Sequence, residues 1–98
     1  MRPEFKTLDA PASVASGASS ALPSLCIDHT IQVAGTFTAS VRIEVSNDGS
    51  NWLEVGAYTA PWILVLDGSS FRLIRVRTAS YTNGAPVVIY GGVNVRAE

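Results

Sequence analysis

Ten consecutive residues, Phe37–Ser46, alternate apolar and polar without a break. Phe37, Ala39, Val41, Ile43 and Val45 fall on one side, and Thr38, Ser40, Arg42, Glu44 and Ser46 on the other. A period of two belongs to an extended strand with one dry and one wet face. Each large side chain on the dry face stabilises by roughly 1.5–3 kcal/mol once buried. A slip of one residue would drive Arg42 and Glu44 into the core, so the register is fixed. A strand of this kind needs a second layer to cover its dry face.

The flanking sequence supplies that layer. Ile27, Ile31 and Val33 alternate with Asp28, Thr30 and Gln32, and Ala34-Gly35 then turns the chain. Asn47-Asp48-Gly49-Ser50-Asn51 is a strong turn signal, because Asn and Asp bond nearby backbone and Gly49 accepts positive φ. Residues 52–55 form the returning strand of that hairpin. Trp62–Leu66 is a continuous apolar run, too short for a helix, and reads as a strand covered on both faces. Residues 71–78 place Ile74, Val76 and Thr78 opposite Arg75 and Arg77, with Leu73-Ile74 breaking the alternation at a bulge or at the strand's start. Asn83-Gly84 is the favoured pair for a two-residue hairpin turn, and residues 87–90 and 93–95 follow as strands around Gly91-Gly92. The sum is an all-β chain: an antiparallel β-sandwich or jelly roll of seven to eight short strands.

Residues 1–24 differ. From residue 10 the composition is nearly all Ala, Ser, Gly, Pro and Val, and Pro3, Pro11 and Pro23 oppose helix. The expected division is an extended N-terminal arm over 1–24 and a β-sandwich domain over 25–98. The arm either pairs as an edge strand around residues 13–20 or trails as a disordered tail. Residues 1–10 carry Arg2, Glu4, Lys6 and Asp9 and do not read as a signal peptide. The longest apolar run is far too short to span a bilayer.

Charged residues make up 15% of the 98-residue chain, below the usual quarter, and the net charge is −1. No global field draws nucleic acid or an anionic membrane. A charge-poor surface is more easily dried by a neighbour. Six of the seven basic residues are arginine, which suits interfaces.

Chemistry is sparse. Cys26 and His29 are the single cysteine and histidine, so they make half a zinc site at most, and the plainer reading of His29 is a partly buried structural residue. No base and orienting group accompany the serines as a triad requires. The turn at residues 47–51 lacks the acidic spacing of a calcium loop. The expectation is a non-enzyme with no cofactor, no metal and no catalytic residues. Arg42, Arg75 and Arg77 share a face, either as a patch that docks on an acidic surface or as cross-strand partners of Glu44. Trp52, Trp62, Tyr58 and Tyr81 are core plugs, interface anchors or, alternatively, the lining of a glycan groove. The candidate interface residues are Val14, Ser16 and Ala18 on the arm, with Arg42, Trp62, Arg75 and Arg77 on the body.

Residues 29–52 (HTIQVAGTFTASVRIEVSNDGSNW) and 71–81 (FRLIRVRTASY, ahead of Asn83-Gly84) carry a resemblance. The chain resembles small structural proteins from the virion modules of tailed phages, over roughly residues 25–91. That resemblance implies capsid decoration or cementing, a homotrimer seated on the major capsid protein, and an arm lying along the shell or a neighbouring subunit. It places the protein on the capsid surface of a virion made in the host cytoplasm. The same stretches are similar, more weakly, to discoidin or galactose-binding-like domains. That likeness implies jelly-roll topology and, as the alternative function, a carbohydrate-binding module.

Overall fold

The structure is a computed structural model that describes residues 2–22, 26–66 and 71–94. Pro23, Val95 and the expected arm–domain boundary at 24/25 lie outside the described residues. The strands, in chain order, are β1 (Arg2–Leu8), β2 (Ala15–Ser16), β3 (Ser20–Ala21), β4 (Cys26–Ala34), β5 (Phe37–Ser46), β6 (Leu53–Tyr58), β7 (Trp62–Leu66), β8 (Leu73–Gly84) and β9 (Val87–Asn94). They form two antiparallel sheets. The first runs β1-β9-β4-β7. The second runs β2-β8-β5-β6, and β3 also pairs with β8. No helix occurs among the described residues. The protein is a β-sandwich, as the alternation in β5 requires.

The core lies where the dry faces meet. Val41, Ile43 and Val45 from β5 and Ile74 and Val76 from β8 pack against Ile31 and Val33 from β4 and Val88 and Tyr90 from β9. The register of β5 on β8 sets Val41 opposite Thr78, Ile43 opposite Val76 and Val45 opposite Ile74. Leu73 and Ile74 begin β8, so the break in alternation there marks the start of the strand, not a bulge. The hairpin β5–β6 forms around the Asp48 turn as its residues dictate. The Asp48 carboxylate accepts the backbone N–H groups of Ser50 and Asn51 at 2.9 and 2.8 Å, and Gly49 takes φ +79°.

Five expectations need correction. First, residues 2–8, expected only as part of the extended arm, form a full strand of one sheet. β1 pairs with β9 from Arg2↔Asn94 to Leu8↔Val88, and Leu8 enters the core. The β2 and β3 strands lie along the edge of β8, with Ala15 opposite Thr78 and Ser20 opposite Ile74, which is the edge pairing and not the free tail. Small side chains allow this. Gly17 donates its N–H to the Val76 carbonyl, and a Cβ there would run into the Asp9 carbonyl oxygen. The segment thus crosses from one sheet to the other and belongs to both.

Secondly, Asn83-Gly84 does not close a hairpin. Gly84 (φ +91°) ends β8 in one sheet, and the chain crosses by Ala85-Pro86 to β9 in the other. The Ala34–Phe37 connection crosses in the opposite direction beside it, with the Ala85 N–H donating to the Thr36 carbonyl. Thirdly, Gly91-Gly92 does not interrupt β9, which runs through to Asn94. Fourthly, Asp28 takes φ +53° in a bulge of β4, which turns Ile27 outward while His29 stays inward in step with Ile31 and Val33. Finally, the run Trp62–Leu66 is not covered on both faces. β7 lies at the end of its sheet, Leu64 and Leu66 pack on the core, and Ile63 and Val65 face away from it, more than half exposed.

Candidate functional site

The two outer faces of the sandwich differ in chemistry. On the β2-β8-β5-β6 sheet, the wet positions of β5 and β8 come into register as Arg42↔Arg77 and Glu44↔Arg75, with Glu44↔Glu54 across to β6. Like charges directly opposite each other repel. Ion pairs, one directly across and the others offset, relieve this. Glu44 receives Arg75 Nε at 2.8 Å and Arg77 Nε at 3.2 Å, and Glu54 receives Arg42 at 2.9 Å and Arg77 at 3.4 Å. The Arg75 guanidinium also lies 4.1 Å over the Trp52 ring, a favourable cation–π geometry. The three arginines therefore meet as cross-strand partners of the glutamates, and Glu44 is buried among them.

The outer face of the β1-β9-β4-β7 sheet has no such ladder. Register positions facing out carry Pro3, Phe5 and Thr7 on β1, Val87, Ile89, Gly91 and Val93 on β9, Ile27, Thr30, Gln32 and Ala34 on β4, and Ile63 and Val65 on β7. Among these register positions none is charged; the exposed Asp28 falls between Ile27 and Thr30, in the bulge where the register shifts. Phe5 is 75% exposed, Ile63 55% and Val65 54%. A Cβ on Gly91 would stand 3.1 Å from the Phe5 ring, so the ring lies across that glycine on the outside of the sheet. Isolated apolar residues on a surface are ordinary; here exposed Phe5, Ile27, Ile63, Val65 and Val87 share one sheet face with no charged register position.

The other candidates are dispersed. Val14 is exposed, Ser16 sits in β2 opposite Arg77, and the Ala18 N–H donates to Asp9 Oδ2 at 2.8 Å. Trp62 is 61% exposed and stacks on Tyr58 with ring centroids 6.4 Å apart. Trp52 donates its indole N–H to the Gly49 carbonyl, and the Tyr81 hydroxyl donates to the Gly84 carbonyl. The four aromatics do not gather into one groove. A cavity of about 350 Å³ opens at the Asp48 end of the sandwich, lined by Val45, Leu53, Val55, Leu66 and Phe71 together with the polar Ser46, Asn47 and Asn51.

His29 is a core residue. Its Nδ1 shares a 2.5 Å hydrogen bond with the Tyr90 hydroxyl, and its ring lies 4.5 Å from that of Phe71. Burial, and then the adjacent Cys26, hold the Tyr90 hydroxyl far above the usual phenol range. Among the described residues no three His, Cys, Asp or Glu side chains group to hold a metal ion.

Sequence reasoning misses Phe5, Ile27, Ile63, Val65 and Val87 as surface candidates. The signal is present in Trp62–Leu66, where both alternating sets are apolar: one set faces the core and the other stands more than half exposed among the described residues at Ile63 and Val65.

A solved structure, that of the SPBc2 prophage-derived protein YomS, has the same fold. The match has a TM-score of 0.66 at 11% sequence identity and covers 94% of this chain and 95% of that one. No family model matches the sequence, and no curated protein does either.

Proposed function

We propose that this chain is a non-enzymatic structural protein of a tailed-phage virion, one that decorates or stabilises the capsid by packing against its neighbours. The observation that carries this reading is the uncharged outer face of the β1-β9-β4-β7 sheet. A surface of that kind lowers free energy when covered, at about 25 cal/mol per Å² removed from water. The likeness in fold to a prophage-derived protein and the sequence resemblance to virion-module proteins point the same way. The partners in this reading are further copies of the chain and the major capsid protein, at the capsid surface of a particle assembled in the host cytoplasm. Neither nucleic acid nor a membrane is a partner. Many copies on a symmetric lattice reinforce contacts that are individually weak.

The test mixes the purified protein with capsids built from the major capsid protein encoded alongside it, then sediments them. Co-sedimentation in stoichiometric, saturable amounts supports the reading, and protein left wholly in the supernatant overturns it. The exposed Trp62 stacked on Tyr58 favours a second reading, a carbohydrate-binding module. A glycan array whose hits vanish in Trp62→Ala would establish that reading instead.

A further inference from the structure

We infer that the uncharged face of the β1-β9-β4-β7 sheet docks on the same face of a second copy, giving a two-fold dimer. This rests on the reading of that face as an assembly surface and names its occupant. Three observations select a second copy. Phe5 on β1, Val87 on β9, Ile27 on β4 and Ile63 and Val65 on β7 put exposed apolar side chains on all four strands of one face, with only the uncharged Thr7, Thr30 and Gln32 as polar side chains among the register positions between them. An occupant must not bring charge onto this surface, because an unpaired charge buried there is costly. The charged ladder of Arg42, Glu44, Glu54, Arg75 and Arg77 lies on the opposite sheet, so two copies meeting through the uncharged face cover none of it.

The size also fits. Four strands ~4.8 Å apart and about seven residues long at ~3.4 Å each give a face of roughly 450 Å². Two such faces remove about 900 Å² from water, more than most crystal contacts and less than a standard stable interface. The dimer is therefore weak and reversible. One patch meeting itself is an isologous contact, which closes at two copies. The trimer implied by the family resemblance would need a different, heterologous surface. Sheets packed face to face lie ~10 Å apart and turned by about 30°. Small outward residues such as Ala34 leave room within that spacing for the Phe5 ring of the facing copy.

The experiment is sedimentation equilibrium of the full chain from micromolar to millimolar concentration, with three variants beside it. The parent shows a monomer–dimer equilibrium. Ile63→Lys weakens it about 100-fold, because two-fold symmetry counts each substitution twice. Phe5→Glu, on the opposite edge of the sheet, does the same. Arg42→Ala, on the other face, leaves it unchanged. All four proteins are compared in thermal unfolding, where exposed positions cost little. A parent that stays monomeric at millimolar concentration, or forms trimers, overturns the inference, as does an Ile63→Lys protein that dimerises like the parent. The capsid reading is scored separately: Ile63→Lys that is monomeric yet still co-sediments with capsids supports the dimer contact as distinct from shell attachment. A monomeric parent whose capsid binding is lost in Ile63→Lys gives the face to the shell and overturns the dimer alone.

Discussion

Replacing Leu8 by alanine tests whether the N-terminal segment is part of the fold. Leu8 is 5% exposed, pairs with Val88 at the end of β1 and joins the core cluster. Truncating a buried leucine costs ~2–5 kcal/mol, the spread reflecting how far the site can collapse. β1 is an edge strand and can relax inward, so the expected loss is at the lower end, about 2–3 kcal/mol. For a domain of this size that lowers the melting temperature by roughly 10–20 °C. Phe5, three residues earlier on the opposite face of the same strand, is 75% exposed, and Phe5→Ala should cost less than about 1 kcal/mol. Urea unfolding followed by tryptophan fluorescence and circular dichroism reads both, at a concentration low enough to hold the protein monomeric. If Leu8→Ala stays within about 0.5 kcal/mol of the parent while Ile43→Ala loses its full share, β1 is not docked and the arrangement described for residues 2–8 is wrong.

Further outcomes follow from particular contacts. Burial raises the pKa of the Tyr90 hydroxyl above its ordinary value of 10.0, so the unfolded chain releases that proton first as pH rises. Stability is then fully present below pH 10.0 and falls above it, and Tyr90→Phe should flatten that fall in an alkaline unfolding series. Gly84→Ala should destabilise by more than ~1 kcal/mol, since φ is +91° and a Cβ would collide with the Thr36 carbonyl oxygen; equal stability of parent and variant in urea would count against the crossover geometry. Glu44→Ala removes the carboxylate partner of Arg75 and one of the two partners of Arg77 beside Arg42, and because both arginines keep some contact with water the loss should be only about 1–2 kcal/mol. Added salt should shrink that loss, and a salt-independent loss would mean that packing, not charge, sets it.

What can be read from the sequence is local. β5 and its hairpin are legible because alternation and the Asp48 turn are encoded within a few residues, and Asp48 needs only Ser46, Ser50 and Asn51 to complete its bonds. The arginines are legible as one face for the same reason. Sheet order is not. Asn83-Gly84 has the composition of a hairpin turn, yet Phe37↔Gly84 pairing commits it to a crossover, a fact decided by a strand far earlier in the chain. The β1–β9 pairing joins opposite ends of the described chain, and the Ala/Ser-rich stretch gives no pattern that distinguishes a strand laid on an edge from a free arm. Ile27 faces outward, against the alternation set by Ile31 and Val33, because of the bulge in which Asp28 adopts φ +53°, which no period reveals. The exposed side of β7 is visible as an apolar run, but its position at the sheet's end is not.

Hydroxyl-radical footprinting of the protein, free in dilute solution and bound in the assembled particle, bears most directly on the uncharged sheet face. On assembly Phe5, Ile63 and Val65 should lose most of their reactivity, while Val14, exposed on the edge segment beside the other sheet, keeps its own. Equal labelling of Phe5, Ile63 and Val65 in the two states would mean that this face stays in water and is not where the protein assembles.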